Sequence, residues 1–345
     1  MLRVYNATEM FEINIKSTGK TFSVEGGETI LEAALRNDIQ LPFGCLTGGC
    51  GSCKGKVIEG EVDHGDSKAF ALSESDRGQG MALFCQARPQ SNLAVDTLNG
   101  YQQKNPAKKL PSRVSSINKI SSDVISLELK TPPTQNFEFI PGQYIDVLLD
   151  NGKRRSYSMA NTPDGSHTIQ LHIRAIKDGL FTDFVMNTLR EKDILRLEGP
   201  LGDFSFDRST DKPAIFLASG TGFAPIKSII EDQLKQDCSR ELTLYWGGRR
   251  PQDLYMNLLA EQWSRENSHF KYVPVVSQPR VDDLWKGKTG NVHKAVMEDF
   301  KSLADVQIYA CGAPAMVEAA QKDFVQYREL PEEEFFSDAF TPAPQ

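Results

Sequence analysis

The chain has 345 residues, room for two or three domains at roughly 150 residues each, and its 39% hydrophobic and 25% charged content excludes a disordered or fibrous polymer. Its 39 basic residues are outnumbered by 46 acidic ones, a net charge of −7, which argues against binding nucleic acid through phosphates. No run of about 18 apolar residues occurs, so insertion of a helix into a membrane is excluded too.

Met1 to Lys16 contains Glu9 and Glu12 and lacks a continuous apolar segment, so no secretory signal is expected and the chain reads as cytoplasmic. Phe11-Glu12-Ile13-Asn14-Ile15 and Thr21-Phe22-Ser23-Val24 alternate as the strands of a hairpin do. Ile30, Leu31, Ala33, Ala34 and Leu35 fit one apolar helix face, which Thr29 can cap. From Leu41 to Lys54 periodicity gives way to Gly44, Gly48, Gly49 and Gly51, a loop built to wrap a bound group.

The cysteines explain that loop. Cys45, Cys50 and Cys53 have C-x4-C-x2-C spacing and Cys85 supplies a distant fourth thiolate, the plant-type [2Fe–2S] pattern. Four thiolates around two irons need nearby backbone N–H donors, and the glycines let the main chain come close enough to provide them. A four-thiolate zinc site is the alternative, but zinc sites pair two short C-x-x-C units, and Cys85 stands alone. Ser52, Arg77 and Arg88 near the ligands read as fold and solubility residues. A plant-type cluster implies one-electron transfer.

Residues 99–111, NGYQQKNPAKKLP, are polar with two prolines and three lysines and read as a linker after a domain spanning residues 1–98. Residues 112–207 hold the alternating runs Val124–Leu129, Tyr144–Leu148, Thr168–Ile173 and Ile194–Leu197, which predict a closed antiparallel barrel. Within it, Arg155-Ser156-Tyr157-Ser158 follows Pro141-Gly142-Gln143-Tyr144 and precedes the strand ending His172-Ile173-Arg174. Gly179-Leu180-Phe181-Thr182 then leads into an amphipathic helix, Thr182 to Leu189, whose open N–H groups suit a phosphate. Arg155 can hold a pyrophosphate oxygen in a bidentate way. Taken singly, these residues also read as a surface arginine, a core tyrosine and a strand serine.

In residues 208–345 apolar runs at Ala214–Leu217, Leu242–Trp246, Tyr272–Val276 and Val306–Tyr309 alternate with helices, the rhythm of a parallel sheet covered on both faces. The turn carrying Gly220, Thr221, Gly222 and Pro225 joins strand to helix and suits a dinucleotide pyrophosphate, although it lacks G-x-G-x-x-G. Arg249 follows the second strand of this sheet, where it fits either a ribose 2′-phosphate, favouring NADPH, or a salt bridge to Asp253. Cys311 by itself reads as a buried thiol, and Cys238 as structural.

Together these motifs resemble the ferredoxin-NADP reductase superfamily. RxYS and GLFT resemble its flavin domain, GTGFAP its GTGxAP loop, and Tyr309-Ala310-Cys311-Gly312-Ala313-Pro314 its CGxP motif. The resemblance implies a multidomain protein with an α+β β-grasp ferredoxin domain, an antiparallel β-barrel flavin domain and an α/β parallel-sheet nicotinamide domain. It implies that Arg155 contacts the FAD pyrophosphate, Tyr157 packs on the isoalloxazine, and Ser158 hydrogen-bonds near the flavin N5. His172, Ile173, Arg174, Gly179, Phe181 and Thr182 complete the expected flavin set. Cys311, Gly312 and Pro314 are expected beside the nicotinamide. Phe336-Ser337-Asp338-Ala339-Phe340 resembles the terminal acidic-x-aromatic pair, which implies that Asp338 and Phe340 lie near the flavin edge, with five residues continuing beyond. Ser158, Cys311, Asp338 and Phe340 are therefore the catalytic candidates. FAD is expected over FMN, because the family's FMN members carry the ferredoxin domain last.

GTGFAPIKSIIE, YWGGRRPQDLY and FFSDAF further resemble the CDP-6-deoxy-Δ3,4-glucoseen reductase family. That implies NADH, with NADPH the alternative, and a dehydrase as one-electron acceptor. Reductase components of multicomponent mono- and dioxygenases share every motif, so an oxygenase acceptor stays open. A redox sensor without turnover is a reading of another class, and it leaves the nucleotide loops without a purpose. The expected route runs from NAD(P)H through FAD to the cluster, since nicotinamide moves electrons in pairs, the cluster singly, and flavin either way.

Overall fold

A computed structural model describes residues 10–43, 46, 48–49, 51–69, 71–97, 107–150, 152–176, 179–236 and 239–340. Cys45, Cys50, Cys238 and most of the expected linker lie outside the described residues. The chain divides into two compact units, residues 1–106 and 107–345.

The first unit contains β1 (Phe11–Ile15), β2 (Lys20–Val24), α1 (Ile30–Arg36), β3 (Lys54–Glu59), β4 (Val62–Asp63), α2 (Glu74–Gly78), β5 (Met81–Leu83), β6 (Arg88–Pro89) and β7 (Leu93–Thr97). Its main sheet has the order β2-β1-β7-β3-β5, with β1 antiparallel to β2 and parallel to β7, the mixed sheet of a β-grasp. Alternation places Ile13, Ile15, Phe22 and Val24 inside. Thr29 caps α1 through a reciprocal box with Glu32, which satisfies two amides that the helix leaves open. Ile30, Leu31, Ala33 and Ala34 are buried, whereas Leu35 is exposed, contrary to the expected apolar face. At about 100° per residue, Leu35 falls beyond the arc that the other four occupy.

The second unit opens with a barrel of β8 (Lys108–Lys119), β9 (Val124–Lys130), β10 (Tyr144–Leu148), β11 (Arg154–Ser158), β12 (Thr168–Arg174) and β13 (Ile194–Leu201), with α3 (Leu180–Asn187) before the last strand. Neighbouring strands are antiparallel in the order β11-β10-β13-β8-β9-β12, and a bridge between Met159 and Leu171 joins the two ends. Val114, Leu127, Leu129, Ile145, Val147, Leu171 and Leu197 fill the interior. β8 begins inside the segment expected to be linker. Leu110, Ser112 and Val114 turn inward while Lys109, Pro111 and Arg113 face solvent, so a lysine-rich stretch still alternates as a strand. Helix α3 starts at Leu180, two residues before the expected position, because Gly179 ends the preceding turn.

The parallel sheet follows: β14 (Ala214–Ser219), α4 (Phe223–Lys235), β15 (Leu242–Gly248), α5 (Asn257–Glu266), β16 (Phe270–Val276), β17 (Lys288–Thr289), α6 (Val292–Asp299), β18 (Gln307–Gly312), α7 (Pro314–Arg328) and β19 (Phe335–Ala339). The order β17-β16-β15-β14-β18-β19 reverses direction between β14 and β18, the switch point where α/β sheets hold ligands. Helices α4 and α5 pack on one face around Phe216, Phe223 and Trp246, and α6 and α7 on the other around Leu217, Tyr245 and Ile308.

Barrel and sheet are bolted together through α4. Lys227 is buried, and its ammonium donates to the Ala160 carbonyl at 3.0 Å and pairs with Glu231 at 2.8 Å. Ser228 donates to the Asn161 carbonyl at 2.7 Å, and Lys235 reaches Thr162. Lys227→Met leaves Glu231 and a buried carbonyl without their donor. It is expected to cost about 3 kcal/mol of stability in thermal or urea unfolding, most of it recovered in Lys227→Met/Glu231→Leu.

Candidate functional site

In the first unit, Cys53 and Cys85 are both buried, at the mouth of β3 and in the turn after β5. The Phe84 amide donates to the Cys53 carbonyl at 3.0 Å, so the two cysteine turns share a backbone bond. Gly48 and Gly51 have φ of 73° and 79°, which only glycine adopts cheaply. A Cβ on Gly48 would lie 2.8 Å from the Gln86 side chain and 3.2 Å from the Ser67 backbone. Two buried thiols beside a tightly wrapped glycine loop fit a four-thiolate cluster, with Cys45 and Cys50 outside the described residues.

On β11, Arg155 and Tyr157 share one face and Ser158, which is buried, points to the other. The Tyr157 ring packs 5.6 Å from Phe181, and burial raises its phenol pKa. Thr182 spends its hydroxyl on the carbonyls of Gly179, at 3.0 Å, and Ile176, at 3.3 Å. The Asp183 amide makes the first α3 bond, to the Gly179 carbonyl. The amides of Leu180, Phe181 and Thr182 thus lead the helix, an arrangement suited to an anion such as the FAD pyrophosphate. The Arg155 guanidinium donates to the Arg154 carbonyl at 2.8 Å.

The two faces of β12 differ. Ile173 is fully buried in the barrel core, which leaves only its backbone for a ligand. Gln170, His172 and Arg174, on the opposite face, all reach the nicotinamide half instead. Gln170 meets Lys227 at 3.4 Å. His172 Nδ1 lies 3.0 Å from the Tyr255 hydroxyl, with the rings edge-on at 5.4 Å. Burial, with Lys227 nearby, pushes the His172 pKa down to about 3, so the imidazole is neutral. Arg174 pairs with Asp123 at 3.1 Å and donates to the Asp253 carbonyl at 3.4 Å.

At the sheet's switch point a cleft of about 720 Å³ opens, lined among others by Gly220, Thr221, Arg249, Gly312, Phe340 and, from the barrel, Arg174. Its floor is backbone against backbone. A Cβ on Gly222 would overlap the Cys311 carbonyl and lie 2.6 Å from the Gly312 nitrogen. A Cβ on Gly312 would lie 2.5 Å from the Ser219 carbonyl. The Ala313 amide donates to the Ser219 hydroxyl at 2.9 Å, and the Phe340 amide to the Gly312 carbonyl at 2.7 Å. Pro225 lies in the buried first turn of α4, and Pro314 opens α7 without needing an amide partner. Cys311 is wholly buried, in register with Ala218 on one side and Asp338 on the other. Burial, and then the Asp338 charge, push its thiol pKa up, so it contributes shape rather than nucleophilicity. Of the alternatives for Arg249, the salt bridge does not form among the described residues. The Asp253 carboxylate accepts instead from the backbone amides of Arg249, at 2.8 Å, and Arg250, at 2.9 Å.

Residues 13–90 match the 2Fe-2S iron-sulfur cluster binding domain, residues 111–206 the oxidoreductase FAD-binding domain, and residues 216–322 the oxidoreductase NAD-binding domain. The chain is 40% identical over 333 residues, covering 96% of it and 98% of the relative, to CDP-6-deoxy-L-threo-D-glycero-4-hexulose-3-dehydrase reductase of Yersinia pestis. It belongs to the iron–sulfur flavoprotein reductases of the ferredoxin-NADP reductase superfamily. This reductase also shares 35% identity, over 92% of its chain and 91% of the relative, with the phenol hydroxylase P5 protein of Acinetobacter pittii. Its fold matches the crystal structure of the Amycolatopsis cytochrome P450 reductase GcoB with a TM-score of 0.77 and 33% identity, covering 96% and 99% of the two chains. The reductase therefore carries a [2Fe–2S] cluster and FAD and uses a nicotinamide dinucleotide.

Lys227 and Tyr255, which tie the barrel to the sheet, are not legible in the sequence as residues of this seam. The only signal for Lys227 is a charge inside the apolar face of α4, and Tyr255 sits unremarked within PQDLY. Gly222→Ala is expected to drive the two loops apart and cut kcat/KM for the dinucleotide roughly 100-fold while FAD content stays unchanged, which stopped-flow flavin reduction would measure.

Proposed function

We propose that this reductase oxidises NADH in the cytoplasm and delivers single electrons to a dehydrase acting on a CDP-linked 6-deoxyhexulose. The 40% identity to the dehydrase reductase, sustained over 96% of the chain, is the observation that carries this acceptor. When bound, the three groups supply hydride transfer, division of the electron pair and one-electron delivery. The domains run from 1 to 98 for the cluster, from 108 to 207 for FAD and from 208 to 345 for the nucleotide.

Cys45, Cys50, Cys53 and Cys85 ligate the irons. Arg155 and the leading amides of α3, that of Phe181 among them, hold the FAD pyrophosphate, Tyr157 flanks the flavin, and Ser158 donates near N5. Gly220, Thr221 and Gly222 seat the dinucleotide pyrophosphate at the head of α4. Cys311, Gly312 and Phe340 shape the nicotinamide end so that water is excluded. Asp338, beside Cys311, orients that edge. Arg249, which lines the cleft, meets the adenosine ribose.

The second reading takes an oxygenase as acceptor, and the match to the P450 reductase GcoB favours it. Mixed anaerobically with the hexulose-3-dehydrase, its nucleotide sugar and NADH, the protein is expected to consume NADH only when the dehydrase is present. Consumption that needs an oxygenase component and dioxygen instead would overturn the dehydrase in favour of that second reading. Cys53→Ser is expected to stop transfer to protein acceptors while ferricyanide reduction through FAD persists; loss of both activities would contradict the division of labour.

A further inference from the structure

Gln86 follows the ligand candidate Cys85 directly, yet its side chain turns back over the cluster loop instead of into solvent. Its amide nitrogen donates to the Leu46 carbonyl at 2.9 Å and to the Cys85 carbonyl at 3.0 Å, and lies 3.9 Å from the Cys85 sulfur. Its Cγ is the atom that a Cβ on Gly48 would meet at 2.8 Å. One side chain thus grips the loop at Leu46 and at Gly48, two points between Cys45 and Cys50 in sequence, and ties both to a turn 40 residues further along.

The chemistry follows from the donor count. A carboxamide nitrogen carries two N–H hydrogens, and here it lies within reach of the Leu46 carbonyl, the Cys85 carbonyl and the Cys85 sulfur together. Those carbonyl dipoles, left bare, would oppose extra negative charge at the cluster. The positive end of the Gln86 amide near the Cys85 sulfur instead favours it. An added electron spreads over the sulfurs, so a fixed donor beside them stabilises the reduced state more than the oxidised one.

We propose that Gln86 is a positioning residue for the cluster: its carboxamide and stem pin Leu46 and Gly48 to the Cys85 turn and hold the reduction potential up. This rests on the [2Fe–2S] reading of the four cysteines. The residue touches no described group outside this loop and turn through its amide, and Gln at this position has no helix or strand to stabilise.

The test uses the full chain with two variants. Gln86→Glu keeps the shape but replaces the donor nitrogen with a carboxylate oxygen that repels the carbonyls, and Gln86→Met keeps the stem and removes the donors without adding charge. Redox titration followed by electron paramagnetic resonance is expected to give a midpoint potential more negative than wild type in both, further in Glu, with altered g-values. Iron release to a chelator should accelerate up to about tenfold, the loss of one or two hydrogen bonds. FAD content, read on the same samples, is the internal control and is expected to match wild type.

Wild-type potentials and spectra in both variants would overturn the proposal. A variant that holds no iron but keeps the wild-type thermal unfolding profile supports it, because assembly then depends on the strut. A variant that holds no iron and has lost the unfolding transition of its first unit overturns it, since Gln86 would then serve the fold alone. Wild-type protein without iron would bring down the cluster reading itself, and this proposal with it.

Discussion

Two neighbouring turns touch backbone to backbone at the ends of β14 and β18, and the nucleotide half is organised around that contact. Gly222 abuts the carbonyl of Cys311, and Gly312 abuts Ser219, so neither position has room for a side chain. Their closeness is what opens the cleft on one side and brings Phe340, through its bond to the Gly312 carbonyl, to the rim on the other. A glycine-rich turn is often credited with flexibility. Here its value is the opposite: it permits an approach that then fixes the chain.

That fixed turn is also the head of α4, and α4 is the member through which the barrel is held. Lys227 and Ser228 reach the carbonyls of Ala160 and Asn161, a few residues after Ser158. The path from the glycine turn at Gly220 to strand β11 therefore runs through one helix and its hydrogen bonds to Ala160 and Asn161. The polar face of β12 supplies a parallel route through His172 and Tyr255. A neutral imidazole suits this seam, because a charged one would lie buried near the Lys227 ammonium. Hydride transfer demands close and repeatable geometry between two ring systems, and rigid coupling of the domains that carry them meets that demand.

Most of the architecture was legible because local patterns carry it: period-two alternation in the barrel, strand–helix alternation in the sheet, and cysteine spacing at the cluster. Failures occurred where a residue's role depends on distant partners. Lys108 and Lys109 read as linker because charge masks an alternation that only Leu110, Ser112 and Val114 reveal. Leu35 reads as buried by its type, although its helical angle carries it outward. Ile173 lies in a motif that resembles a flavin site, and strand geometry sends its side chain into the core while its neighbours face the seam. Nothing in sequence tells a lysine in an amphipathic helix whether it will meet solvent or the barrel. Gln86 is similar, since its partners at Leu46 and Gly48 are brought close only by folding.

One chain carries electrons from a dinucleotide through flavin to an iron–sulfur cluster. An anaerobic titration of the purified protein with NADH, followed by visible absorption and low-temperature electron paramagnetic resonance, tests it most directly. Bleaching of the flavin band accompanied by a rhombic [2Fe–2S] signal is the predicted result. Flavin bleaching with no such signal, or folded protein bearing neither flavin nor iron bands, would contradict it.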